Sequence, residues 1–166
     1  MTALQDVKKR VATRYGRPRV AVHGSKHLTA AFLFGRVFAP FQMDIRQTPI
    51  DTWGTDGPAV DIEPFEPRTC RTQGLISGVI YVEIASGSKD IQTGVDLLLA
   101  ARSVVKPAVR LQLRPYQPLN VDNDLCRAMA RQAYSEIERV VAQIGGAVTD
   151  THLFVAAPQA FMMMLG

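Results

Sequence analysis

Two tripeptides of the same order recur in this sequence, Gly24-Ser25-Lys26 and Gly87-Ser88-Lys89. Each follows a short β-branched run and precedes a helix-like stretch, in VAVHGSKHLTAAF and in YVEIASGSKDIQTG. Glycine lets a backbone approach closely, serine brings a hydroxyl, and lysine sets a positive charge beside a helix start. Together these residue types suit a phosphate or another anion. Ser86 extends the second junction. A third junction of the same style, LFVAAPQAF, sets Ala157 and Pro158 between a strand and a helix. Pro158 fits the first turn there, where its missing N–H costs little. The plainer reading is that Gly and Ser make tight turns and cap helices. Neither tripeptide completes GxGxxG or the P-loop pattern GxxxxGK followed by Ser or Thr. A dinucleotide fold of the usual kind and a P-loop NTPase are therefore both disfavoured.

Other chemistry is sparse. The histidines are His23, His27 and His152, and no Ser-His-Asp or Cys-His arrangement can be assembled from their spacing. His23 and His27 straddle a turn rather than one helix face, which disfavours a metal site. Cys70 and Cys126 lie far apart without CxxC spacing and read as free thiols in a reducing cytoplasm. Glu83 alternates away from Val82 and Ile84, at an edge or solvent position, with an acid near the sheet end as the sharper alternative. Arg110 and Arg114 share a strand face with Gln112 and read as solvent-facing. Trp53, the only tryptophan, is either a core plug or a platform for a base. The residues carry no catalytic set, no cofactor and no metal site.

The elements that must position these residues alternate in type. Strand-like runs are Arg19 to His23, Met43 to Thr48, Gly78 to Ala85, Ala108 to Leu113 and Thr151 to Ala157. Helix-like stretches begin at His27, Lys89 and Asp122. In the last of these, Leu125, Met129, Ala133, Ile137, Val140, Val141 and Ile144 recur at helical spacing, with Asp122 or Asp124 able to cap the start. Strand alternating with helix predicts an α/β fold with mainly parallel sheets and flanking helices. From Pro49 to Gly74 the rhythm breaks into a Pro-, Gly- and Asp-rich stretch, read as a long loop or a connector between two small α/β halves.

The totals agree with a globular chain. There are 166 residues, 47% hydrophobic and 20% charged, enough for a sizeable core and unlike a disordered sequence. No apolar run approaches the ~20 residues needed to cross a bilayer, and the N-terminus lacks an apolar signal core. The net charge of +4 hints at an anionic partner. Lys8, Lys9, Arg10, Arg14, Arg17 and Arg19 crowd the first stretch. That run reads as a solvated helix face or linker, stopped at Gly16. Nucleic-acid binding is its alternative, though the interleaved aromatics of a stacking platform are lacking.

Two segments resemble the SAVED sensor domain. HLTAAFLFGRVFAPFQMDIRQTPIDTW is similar to its first signature, and THLFVAAPQAFMMMLG to its second. The resemblance covers nearly all of residues 17 to 166. It implies two fused CARF-like, Rossmann-like halves, about 17 to 60 and 75 to 166, joined by a connector at about 49 to 74, with residues 1 to 16 as a basic helix or linker. It implies a sensor of cyclic oligonucleotides in anti-phage defence, in CBASS or type III CRISPR systems, located in the cytoplasm. Ligand binding would drive homo-oligomerisation and switch on an effector domain or a separate effector protein. The ligand would lie over the strand ends, at Gly24, Ser25, Lys26, Trp53, Ser86, Gly87, Ser88, Lys89, Ala157 and Pro158. A ring nuclease or other phosphoester-cleaving enzyme, and a purely structural interaction module, are the alternatives.

The sequence departs from the family in two ways, in having no effector domain and in ending before the family's last strand. In the closing helix Phe161, Met162 and Leu165 are expected to face the core, and Met163 and Met164 to lie near whatever follows. An exposed apolar face there is the expectation, to be covered by a missing segment, a partner chain or self-association.

Overall fold

The computed structural model describes residues 2–16, 19–23, 27–46, 52–58, 60–72, 78–87, 91–101, 105–116, 119–144 and 148–166. The chain forms two compact units that interleave along the sequence. The first comprises Met1–Ile62, Asp122–Ala130 and Pro158–Gly166, and the second Glu63–Val121 and Arg131–Ala157.

The first unit begins with α1 (Thr2–Tyr15), which ends where Gly16 takes a φ of 70° and its N–H returns to the Ala12 carbonyl at 2.9 Å. Only a residue tolerant of the left-handed region closes a helix in this way. Strand β1 (Val20–Val22) then leads to α2 (Leu28–Phe38), whose cap is His27, with Nδ1 accepting from the Thr29 N–H at 3.4 Å. Strand β2 (Met43–Arg46) pairs parallel with β1 and antiparallel with β3 (Thr52–Gly54). The closing helix α5 (Gln159–Leu165) packs on α2, with Ala160, Phe161, Met162, Met163 and Leu165 all buried. The two helices approach so closely that a Cβ on Gly35 would strike the Met163 carbonyl. Met163 is therefore a core residue at 1% exposure, and the expected exposed apolar face of α5 is not found. The absence of a side chain at Gly35 lets α2 cover it. At the chain end a Cβ on Gly166 would likewise strike the Phe32 carbonyl and the Arg36 amide of α2.

The second unit holds a sheet in the order β4-β6-β5-β7, from β4 (Phe65–Arg71), β6 (Val109–Pro115), β5 (Val79–Ala85) and β7 (Asp150–Ala156). β5 pairs parallel with both β6 and β7, and every one of its residues is buried. That is what a near-continuous Val/Ile run implies for a strand covered on both faces. β4 pairs antiparallel with β6 at the edge. Helix α3 (Gln92–Ala100) lies on one face, where Val95 joins Val79 and Tyr81 in a small core cluster. Helix α4 (Asn123–Gln143) starts in the first unit and continues in the second. Asp122 caps it, with Oδ1 accepting from the Leu125 N–H at 2.8 Å. Further along, the Gln132 amide ties down both backbone groups of Phe65, at 2.8 and 3.0 Å. Taken together the two sheets are mixed but mainly parallel, with helices on them, as the alternation in sequence predicts.

The irregular stretch from Pro49 to Gly74 contains two strands that periodicity misses. β3 is three residues long, too short to show a repeat. β4 carries Pro67 and exposes most of its side chains, because an edge strand needs only one set of ladder bonds and one covered face. Among the described residues no helix is long and apolar enough to cross a membrane.

Candidate ligand-binding strand ends

The second unit gathers the carboxyl ends of three parallel strands along one edge. The β5–β7 register ends with Ala85 opposite Ala156. Immediately beyond it, Ser86 donates both its N–H and its Oγ–H to the Ala156 carbonyl, at 3.0 and 3.2 Å. These bonds hold the ends of β5 and β7 together and leave Gly87 exposed, with no atom within 4 Å of where a Cβ would stand. Ala157 follows β7 directly and is half-buried, and Pro158 takes the N-cap position of α5 at φ −57°. Ser86, Gly87 and Ala157 are thus brought to one edge. Ser88 and Lys89 lie outside the described residues.

The helix that follows β5 begins at Gln92, and its N-cap residue, Ile91, makes no side-chain cap bond. Its first-turn N–H groups carry the positive end of the helix dipole toward the same strand ends. On the neighbouring strand, Arg114 donates to the Gln92 side chain at 2.6 Å, which sets a guanidinium near this helix start. Pro115 ends β6, and Tyr116 follows it with 69% of its surface exposed. Sequence reasoning missed Tyr116. No sequence pattern marks it, because the exposure of a ring after a strand depends on what packs over it.

The first unit repeats the layout on a smaller scale. His23 follows β1, and Gly24, Ser25 and Lys26 lie outside the described residues. Trp53 is half-buried in β3, opposite Ile45, which in turn lies opposite Val22. Residues in register share a face, so Trp53 lies on the side of the buried Val22 and Ile45. Arg19, at the start of this sheet, grips Asp44 through Nε and Nη2 at 2.5 and 2.7 Å and reaches both Asp56 carboxylate oxygens at 3.3 Å. The hydrogen bond from Arg19 holds the Asp44 carboxyl below its usual pKa. Arg127 reaches the Asp56 carbonyl from the start of α4, beneath Gly57 at φ +145°. This network fixes the loop after β3.

Two readings of polar residues need correction. Alternation alone sets Glu83 at an edge or in solvent, but it lies in the centre of the sheet at 2% exposure. It accepts from Arg110 Nε at 2.7 Å and from Gln112 Nε2 at 3.0 Å. Arg110, read as solvent-facing, keeps only 19% of its side chain exposed and also holds Asp96 of α3 at 2.8 Å. Arg114 and Gln112 are likewise engaged by Gln92 and Glu83. The reason is α3, which covers this face with polar as well as apolar side chains. Burial opposes the charged guanidinium of Arg110, but its bonds to Asp96 and Glu83 outweigh this and raise its pKa. Glu83 therefore serves the sheet, with its acceptor atoms turned inward and occupied.

The remaining titratable groups point to structure as well. His27 caps α2. His152 lies beside the Tyr81 ring, with centroids 5.1 Å apart. Burial raises the Tyr81 pKa, and its hydroxyl donates to the Val105 carbonyl at 3.2 Å. Cys126 is buried and Cys70 exposed, both as free thiols. Burial, followed by the charge of Asp122, pushes the Cys126 thiol up to about 12. Among the described residues no three His, Cys, Asp or Glu side chains come together as a metal site would need.

Known proteins match this chain by structure. No protein-family model matches the sequence, and no curated protein matches it. The Acinetobacter baumannii Cap4 SAVED/CARF-domain containing receptor, solved with the cyclic trinucleotide 3′3′3′-cAAA, superposes with a TM-score of 0.77 at 20% identity, over 98% of this chain and 36% of that one. The same receptor with 2′3′3′-cAAA gives 0.80 at 21% identity, again over 98% and 36%. A Moraxella osloensis Cap4 SAVED/CARF-domain containing receptor gives 0.63 at 18% identity, over 98% and 34%. The chain thus spans little more than a third of the length of these receptors. Its fold is that of their SAVED/CARF-type α/β architecture.

Proposed function

We propose that this chain is a non-catalytic sensor of a cyclic oligonucleotide, and that the ligand lies over the carboxyl ends of parallel strands. The observation that carries the reading is the edge formed by Ser86, Gly87 and Ala157. It combines an open glycine with the positive end of a helix, in a fold whose solved counterparts hold cyclic trinucleotides. Lys89 and Ser88 continue this edge in sequence, and Gly24, Ser25 and Lys26 form the corresponding junction after β1, with Trp53 on that unit's own sheet. Backbone N–H groups at a helix start and a nearby lysine are what a phosphate requires. In this reading residues 17 to 166 form the sensor, which acts in the cytoplasm. Ligand binding promotes self-association and activates an effector, carried as a further domain or as a separate protein.

Titration calorimetry against a panel of cyclic di-, tri- and tetranucleotides tests the proposal. A saturating heat with one panel member, weakening as salt is raised, is the expected result. Silence across the panel from a folded sample would remove the reading. Chromatography of the ligand after incubation separates a sensor from a ring nuclease, since linear products appear only if the phosphodiester is cleaved.

A further inference from the structure

We infer that Tyr116 is a stacking platform for one base of the bound cyclic oligonucleotide, an inference that rests on the sensor reading above. β6 runs parallel to β5, with Ile84 opposite Leu113 as the last paired position. Both strands leave the sheet at the same edge, β5 toward Gly87 and β6 toward Tyr116, each three residues past that last pair. On one side, therefore, stands a residue with no side chain and open space above it. On the other stands an aromatic ring that is 69% exposed.

The other exposed tyrosines among the described residues stand elsewhere. Tyr15 ends α1 beneath the Arg14 guanidinium, and Tyr134 lies on α4. Tyr116 alone of these follows the carboxyl end of a parallel strand. Its backbone is stiffened by Pro115, whose ring fixes φ just before it. A tyrosine has few side-chain torsions to immobilise, so stacking a base on it costs little conformational entropy. The open backbone at Gly87 and the positive end of α3 suit a phosphate and carry no flat apolar surface. The ring supplies what they lack, a face for a nucleobase beside a seat for its phosphate.

The test is calorimetry on the full chain with 3′3′3′-cAAA as the probe, comparing wild type with Tyr116→Ala, Tyr116→Leu, Tyr116→Phe and, as a surface control, Tyr134→Ala. Loss of one base–aromatic stack weakens binding by roughly five- to 150-fold. Tyr116→Ala is expected to show a loss in that range, Tyr116→Leu to recover only part of it, and Tyr116→Phe and Tyr134→Ala to bind as wild type does. Unchanged binding by Tyr116→Ala overturns the inference and leaves the sensor reading standing. Equal losses in Tyr116→Ala and Tyr116→Phe also overturn it, because the hydroxyl rather than the ring would then be at work. Wild-type binding by Tyr116→Leu overturns it too, by showing that bulk suffices. If the wild-type chain binds no member of the cyclic panel, both the inference and the reading beneath it fall.

Discussion

Arg110 donates from Nε to Glu83 Oε1 at 2.7 Å, joining two parallel strands diagonally in the middle of the second unit's sheet. A carboxylate that is 2% exposed depends on its partners, because burying a polar group without them is costly. The same guanidinium reaches outward to Asp96, so one side chain links β5, β6 and α3. A polar cluster at the centre of a sheet is costly when half-dismantled and nearly neutral when replaced as a whole.

Arg110→Ala is accordingly expected to lower stability by about 3–5 kcal/mol, since Glu83 would stay buried with Gln112 as its remaining donor. Urea unfolding measures this as a shift in midpoint at constant slope. The double replacement Glu83→Leu with Arg110→Met should cost clearly less than Arg110→Ala alone. A loss under about 1 kcal/mol for the single substitution would show that the pair is solvated after all.

The clamp on Asp44 gives a pH dependence. Asp44 is held below its ordinary value of 3.8 by the hydrogen bond from Arg19. A depressed folded-state value means that the ionised group stabilises the fold fully above the unfolded value and loses this as pH falls through the folded one. The window therefore lies at and below 3.8. Asp44→Asn should remove this part of the acid limb, so that wild type and variant converge as pH drops. Urea midpoints across the acid range will show it, and parallel curves would discard the clamp as a source of acid sensitivity.

The two thiols should differ in reactivity. A thiolate is the nucleophile, and the Cys126 thiol is both buried and pushed up to about 12, whereas Cys70 is exposed on edge strand β4. One equivalent of a thiol reagent should react in native protein at neutral pH and two after denaturation, with Cys70→Ser abolishing the native signal. Two fast equivalents in the native state would mean that the start of α4 opens readily.

How much of this was legible in the sequence depended on whether a pattern had room to repeat. The 21-residue α4 declared itself through its recurring apolar positions from Leu125 to Val141, and β5 through its Val/Ile run. β3, with three residues, and β4, an exposed edge with a proline, had no repeat to show. The strand-to-helix junctions were readable because Gly, Ser and Pro mark turns by their backbone chemistry. Tyr116 was not, because a tyrosine after a strand reads the same whether its ring is buried or free. Glu83 was misread because period-two alternation reports which face a residue is on, never whether a helix such as α3 covers that face.

The contact of Gly35 with Met163 sets two opposing effects against each other, and magnitudes decide between them. Alanine favours a helix interior over glycine by about 0.8–1.0 kcal/mol. At Gly35, however, the new Cβ would meet the backbone carbonyl of Met163, which cannot turn away as a side-chain tip would. Overpacking of this kind costs about 1–3 kcal/mol, and toward the upper end when the obstacle is main chain. Gly35→Ala should therefore destabilise the first unit despite its better propensity. Gly94 in α3 provides the comparison, since nothing lies within 4 Å of its added Cβ. Gly94→Ala should raise stability by up to about 1 kcal/mol, through the propensity difference alone. Thermal unfolding of both variants beside wild type reads the two signs together, and a stabilised Gly35→Ala would mean that α2 and α5 do not pack backbone to backbone.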